Sequence, residues 1–366
     1  MDVSLPGPEN PQPPYGRDGH PFFMHDMVRS QPSAIRSTIT ACEGVVGQIP
    51  RPPQDRTLLF VGLGTSFHAA RAGAWAAGPA WEYRQPIRAV DSFDLLLEPE
   101  QIQRAGAAIV FSSSGETALT LRAQEAIREK GVPQILVTGT SKSSSVDCAD
   151  HVLLTRESDE RAWVHTVSYT TAIAATLTLL HQWSGQDSVN PTGVDRAIEE
   201  VIRREDDWRG LAKSLEDRKQ FLILGSGPAE ATAREAALKL REGAGRFVAS
   251  AGVEEFLHGT LPSIDKAVSA VIAVTFSTLD GRRAGSAVHA AAEAGAKVAL
   301  FRRGRGSRTE DNEFELPKVA PALAPLVDIV PLQFLVYWLS LAAGRNPDVM
   351  GYDDPRIFAA RRSYGI

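Results

Sequence analysis

The sequence predicts an α/β fold of two three-layer domains, each built on a parallel sheet, followed by a C-terminal tail. Three observations carry this. Short apolar runs of strand length alternate with helical patterns through most of the 366 residues. The pattern restarts halfway: Thr57–Val61 leads into Gly62-Leu63-Gly64, and Phe221–Leu224 leads into Gly225-Ser226-Gly227. The two leading glycines lie 225 − 62 = 163 residues apart, and each precedes a helix of small residues, which reads as an internal duplication.

The elements follow in order. Residues 1–21 hold six prolines and few apolar side chains and read as an arm without a core of its own. The first domain is expected over 22–190. Its order begins near Phe22-Phe23-Met24, and a helix is expected from Ser33 to Val46, after Gln31-Pro32. Strands are expected at Thr57–Val61, Ile87–Val90, Ala107–Phe111, Gln134–Thr138 and His151–Leu154. A charged helical connector spans 191–215. The second domain, 216–345, has strand runs at Phe221–Leu224, Ala270–Val274 and Ala296–Phe301. Residues 346–366 form the tail.

Composition narrows the function classes. With 43% apolar and 23% charged residues and a net charge of −5, nothing suggests a nucleic-acid groove or a basic membrane patch. The N-terminus carries no secretory signal pattern, and no unbroken apolar run reaches the ~20 residues of a membrane span. Cys42 and Cys148 are too few for a disulfide framework, and no Cys/His cluster has zinc spacing. A cytoplasmic protein without metal or cofactor is the expectation. Neither glycine turn completes the three-glycine dinucleotide fingerprint; Gly227 is followed by Pro228-Ala229-Glu230.

Two segments carry chemistry. Ser112-Ser113-Ser114-Gly115-Glu116-Thr117 joins a strand to a helix. Unpaired N–H groups and the positive end of the helix dipole make such a junction an anion site, although an ordinary serine-capped helix begins in the same way. In Ala233–Gly243, Glu235, Lys239 and Glu242 fall at i, i+4 and i+7, on one helix face. That spacing suits either a solvated ion-pair stripe or a general base with its tuning cation. His258, before Gly259 and Pro262, marks a helix end and adds a side chain suited to proton transfer near neutral pH.

These motifs together resemble the sugar isomerase (SIS) family, in particular the isomerase half of glucosamine-6-phosphate synthase and the stand-alone sugar-phosphate deaminases and fructosamine-6-phosphate deglycases. The resemblance runs from about residue 24 to 345. It rests on Gly64-Thr65-Ser66, on Ser112–Thr117, on Glu235-Ala236-Ala237-Leu238-Lys239-Leu240-Arg241-Glu242 and on His258-Gly259-Thr260-Leu261. Val330-Pro331-Leu332-Gln333 looks like the opening of the family's last helix.

The resemblance implies a flavodoxin-like double SIS architecture. It implies that Ser112, Ser114 and Thr117 hold the phosphate of a sugar phosphate, with Ser113 close by, and that Gly64, Thr65 and Ser66 meet the sugar chain. Glu242 would move a proton between C1 and C2, His258 would open the ring, and Lys239 and Glu235 would tune or orient these groups. His258 would reach the site of a second subunit, so a homodimer with shared sites is expected.

Departures bear on the reaction. The chain begins Met1-Asp2-Val3, without a glutaminase cysteine, and the tail reads Ala359-Ala360-Arg361-Arg362 where the synthase carries an imine-forming lysine. Arginine stays protonated and cannot take that role. Glu160–Thr170 looks more like the deaminase and deglycase branch. There Glu160 would hold a substrate amine or hydroxyl, Trp163 and His165 would narrow the pocket, and Arg361 or Arg362 would meet the substrate from the tail. The implied activity is phosphosugar isomerisation or amino-sugar-phosphate deamination or deglycation. The alternatives are a non-catalytic sugar-phosphate-binding regulator, an ammonia-dependent synthase, and a specialised biosynthetic enzyme.

Overall fold

The computed structural model describes residues 16–155, 160–303 and 312–363. Among them are two five-stranded, all-parallel sheets. The first orders β2 (Ile87–Asp91), β1 (Thr57–Gly62), β3 (Ala105–Phe111), β4 (Gln134–Thr138) and β5 (His151–Leu154). The second orders β7 (Phe247–Ala251), β6 (Gln220–Leu224), β8 (Ser269–Val274), β9 (Lys297–Arg303) and β10 (Glu313–Leu316). The strand order 2-1-3-4-5 is thus repeated, in keeping with the duplication read from the glycine turns.

The helices that matter for the site are α1 (Phe23–Glu43), α2 (Thr65–Ala80), α3 (Ala118–Glu129), α4 (Val167–Ser184), α5 (Val194–Ile202), α6 (Glu205–Leu215), α7 (Ala229–Glu242), α8 (Thr278–Glu293), α9 (Ala324–Ala342) and α10 (Pro355–Arg362). Alternate residues of each central strand face opposite layers. Leu58 and Phe60 enter the large core shared by both sheets, whereas Leu59 and Val61 pack with Ile127 of α3 on the other face. On the second sheet, Val271 and Ala273 likewise pack outward with Ala284 and Val288 of α8. Across the middle, α2 packs on α7 and α4, so the two halves meet through helices rather than loops.

Four details differ from the sequence expectation. Helix α1 begins ten residues before Ser33 and runs through Pro32. Proline cannot donate to the carbonyl of Val28; the Gln31 side chain donates to it instead, at 2.9 Å. Strands β7 and β10 lie at sheet edges, where short and partly charged sequences give weak signals. Val330 sits in the middle of α9, which opens at Ala324. The connector helices α5 and α6 are core elements: Ile198, Trp208 and Leu215 are buried, and α9 packs against both. Helix α9, with the turn before it, is long and apolar enough to cross a membrane, but most of it is buried inside the protein.

Candidate functional site

The serine loop is fixed by the sheet beneath it. The Ser112 N–H donates to the Val137 carbonyl at 3.1 Å and the Gly139 N–H to the Ser113 carbonyl at 3.1 Å. Gly115 has φ +71°, and a β-carbon there would collide with the Ser143 hydroxyl, so glycine is required twice over. The Glu116 carboxylate accepts the Ser144 N–H and hydroxyl, both at 2.8 Å, and ties the loop to its neighbour.

Above β1, β3 and β4 lies a cavity lined by Thr65, Ser66, Ser112, Ser113, Thr138 and His165, with Ser168 and Tyr169 from the start of α4. The buried hydroxyls of Ser112 and Ser168 find no partner among the described residues. A buried donor left unmade costs free energy, so both hydroxyls are poised to receive a polar ligand. Burial, with Glu235 nearby, keeps the Tyr169 phenol well above its ordinary pKa and therefore protonated. Among the described residues, no Lys, Arg, Asp or Glu lines the cavity. Ser114 is exposed and Thr117 half-buried; both stand outside the cavity lining.

Helix α7 carries the acid–base row. Glu235 and Lys239 are buried, and the Glu242 side chain keeps 11% exposure. Lys239 Nζ donates to Glu242 Oε2 at 2.6 Å and lies 3.5 Å from Glu235 Oε1. Glu235 also accepts Thr65 Oγ1 at 3.2 Å and pairs with His68 Nδ1 at 2.7 Å. Burial pushes the Glu235 carboxyl up, but Lys239, His68 and Thr65 together hold it below its ordinary value. Burial likewise opposes the Lys239 charge, yet Glu242, Glu235 and Glu160 raise its pKa on balance. This row is a buried carboxylate–ammonium–carboxylate chain with one accessible end, and Thr65 connects it to the cavity. It can hold a base and its counter-cation beside a polar ligand.

The other expected site residues lie as follows. The Glu160 carboxylate accepts the N–H groups of Thr166 and Ser168 at 2.8 and 2.9 Å, capping α4. Gly64, with φ +57°, turns the chain into α2. Arg361 packs over the rings of Trp163 and Tyr352, at 4.7 and 4.5 Å, so the tail helix α10 meets the loop that carries His165. The Arg362 side chain lies outside the described part of the structure. His258 sits in a π-helical turn with its side chain 78% exposed, 3.4 Å from Glu254; among the described residues it makes no ion pair with Glu242 and is not part of the cavity lining.

Sequence reasoning missed His68, Thr138, Ser168 and Tyr169. His68 stands in an alanine-rich helix, and its partner lies 167 residues away, beyond any local spacing signal. The hydroxyl residues Thr138 and Ser168 sit where β4 ends and α4 begins, and those positions alone were a signal.

The second half repeats the scaffold with a paired arginine at the corresponding position. The Thr275 N–H donates to the Phe301 carbonyl at 3.0 Å, the counterpart of the Ser112–Val137 bond. By that register Arg303 takes the place of Gly139. Its guanidinium pairs with the buried Asp328 and donates to the Pro317 carbonyl.

Comparisons with known proteins agree with this fold. A family model described as the SIS domain matches residues 54–183 and again 214–343. The glutamine–fructose-6-phosphate aminotransferase (isomerizing) of Pyrococcus horikoshii is 30% identical over 347 residues, covering 91% of this chain and 57% of the relative. That of Methanothermobacter thermautotrophicus is 30% identical over 351 residues, covering 91% and 56%. The chain therefore spans a little over half the length of these relatives. Among solved structures, tagatose-6-phosphate ketose/aldose isomerase from Escherichia coli superimposes with a TM-score of 0.77 at 20% identity, covering 93% of this chain and 98% of that one. Glucosamine-6-phosphate deaminase from Thermotoga maritima gives 0.72 at 19% identity, covering 89% and 96%. At such identities the structural likeness speaks for the fold.

Proposed function

This chain belongs to the SIS domain family, and from that premise we propose that it moves a proton between C1 and C2 of a six-carbon ketose or amino sugar phosphate. The outcome is aldose–ketose isomerisation or release of an amine. The observation that supports this best is the Lys239–Glu242 contact at 2.6 Å, in a row that Thr65 joins to the hydroxyl-lined cavity. A binding protein needs the serine loop alone; a buried ammonium aimed at a partly exposed carboxylate is the apparatus of a base.

In this reading the phosphate rests on the Ser112–Thr117 loop and the start of α3, held by hydroxyl and N–H donors. Thr65 and Ser66 meet the sugar chain. Glu242 takes the proton from one carbon and returns it to the next. Lys239 holds the Glu242 carboxylate in place through their 2.6 Å contact and steadies negative charge developing on the enediol or enolamine oxygen. Glu235 balances the Lys239 charge, and Glu160 holds the start of α4 with its His165. His258 opens the sugar ring at the site of a second copy of the chain.

The test is incubation of wild type and Glu242→Gln with fructose 6-phosphate, glucosamine 6-phosphate and fructosamine 6-phosphates in deuterated water. Deuterium at C1 or C2, or amine release, that falls by about 10²- to 10⁴-fold in the variant is the expected result. Saturable binding without exchange in wild type refutes the reading and leaves a sugar-phosphate-binding regulator.

A further inference from the structure

Thr65 and His68, one turn apart on α2, grip the two oxygens of a single carboxylate on α7. Thr65 Oγ1 donates to Glu235 Oε1 at 3.2 Å, and His68 Nδ1 contacts Oε2 at 2.7 Å. Glu235 is fully buried, so water cannot replace a lost donor and each bond matters. The two donors differ in one respect. Thr65 lines the cavity, whereas His68 does not. A ligand in the cavity competes for the single hydroxyl proton of Thr65; nothing there competes for the imidazole.

We infer that His68 is the fixed anchor, and Thr65 the releasable one, of a positioning device that keeps the Lys239 ammonium on Glu242 while substrate is bound. The inference rests on the proton-transfer reading above. When the sugar draws the Thr65 hydroxyl away, Glu235 keeps His68. If His68 is removed, the strongest partner left to Glu235 is Lys239, already 3.5 Å away. The ammonium then moves toward Glu235 and off Glu242, which it otherwise holds at 2.6 Å. The base loses its orientation although no group touching the substrate has changed. His68 therefore acts through Glu235 and Lys239, and its signature is a loss of turnover without a loss of binding.

The experiment compares deuterium exchange by wild type, His68→Ala, His68→Asn and Thr65→Ala, using the sugar phosphate that wild type exchanges. His68→Ala lowers kcat by about 10- to 100-fold, the scale of an ångström-sized misplacement, with KM within a factor of three. His68→Asn, whose amide nitrogen stands where Nδ1 stood, recovers most of the loss. Thr65→Ala chiefly raises KM. Independently of whether His68→Ala folds, ¹⁵N-imidazole NMR of wild type provides a readout separate from turnover: Nδ1 must carry a proton, and Glu235→Gln must shift its resonance. Unchanged kcat in His68→Ala, failure of asparagine to rescue, or a bare Nδ1 overturns this inference alone. Absence of exchange in wild type with every sugar phosphate overturns the proton-transfer reading and the inference with it.

Discussion

Asp348 caps the helix that begins at the other end of the chain: its carboxylate accepts the Met24 N–H at 2.8 Å. The same carboxylate accepts the N–H groups of Phe23 and Arg17, both at 3.0 Å, and its backbone carbonyl accepts the Trp163 N–H at 2.8 Å. One buried residue thus joins the entry to α1, the tail and the loop that leads to His165. Asp348→Ala strands three N–H donors and is expected to cost about 2 kcal/mol, near the upper end for a lost helix cap. Urea unfolding measures the loss, and limited proteolysis should open new cleavage between residues 16 and 24.

Ser112 offers a buried hydroxyl that no described residue uses. Ser112→Ala should therefore leave the melting temperature within a degree or two of wild type. If the hydroxyl meets a phosphate, its removal forfeits about 1.5–3 kcal/mol of charge-assisted bonding, a roughly 10- to 100-fold rise in KM or Kd for the sugar phosphate. Equal binding by the variant would remove Ser112 from the anion site.

Lys239 neutralises two buried or nearly buried carboxylates. Lys239→Met leaves Glu235 and Glu242 without it, and a broken buried pair costs about 3–5 kcal/mol. The pH dependence has a definite sign. The pKa of Glu235 is lowered, so its contribution to stability is present above the ordinary carboxylate value of 4.5 and is lost as pH falls through the depressed one. That of Lys239 is raised, so its contribution is present below the ordinary 10.5 and is lost as pH rises through the raised value. Unfolding free energies of wild type and variant, measured from pH 3 to pH 11, should converge at both extremes.

Asp328 runs the opposite way. Burial pushes its carboxyl up to about 7, with Arg303 opposing and Asp280 adding to the shift. Its contribution to stability is fully present below the unfolded value near 3.8 and is lost as pH rises through about 7. A ¹³C-carboxyl titration of Asp328 should show a midpoint about three units above that of an exposed aspartate. The stability of wild type relative to Asp328→Asn should fall between pH 4 and pH 7 and level off above.

Much of the architecture was legible because buried parallel strands announce themselves as apolar runs. Ala107–Phe111 and Ala270–Val274 are central strands with nearly every residue buried. The edges were not legible: Phe247 is largely exposed, and Glu313–Leu316 alternates charge with apolar residues. The row Glu235–Lys239–Glu242 could be placed on one face from helical spacing alone. The link that makes it a cross-domain cluster could not, since Thr65 and His68 reach Glu235 from across the molecule: the Gly64-Thr65-Ser66 motif pointed Thr65 at the sugar rather than at Glu235, and His68 carries no local pattern. Pro32 misled for the converse reason, because its helix-breaking effect is absorbed by a neighbouring glutamine side chain that sequence rules do not count.

The Arg303 guanidinium, standing where the first half has Gly139, has a consequence that can be counted. Two copies of one framework would bind two equivalents of ligand if both mouths were open. If the Arg303–Asp328 pair stops the second mouth, a calorimetric titration should saturate at a single equivalent of sugar phosphate per chain. On the proposed reading, duplication yields division of labour: one copy receives the anion, and the other, relieved of binding, lends its helix as the source of the base.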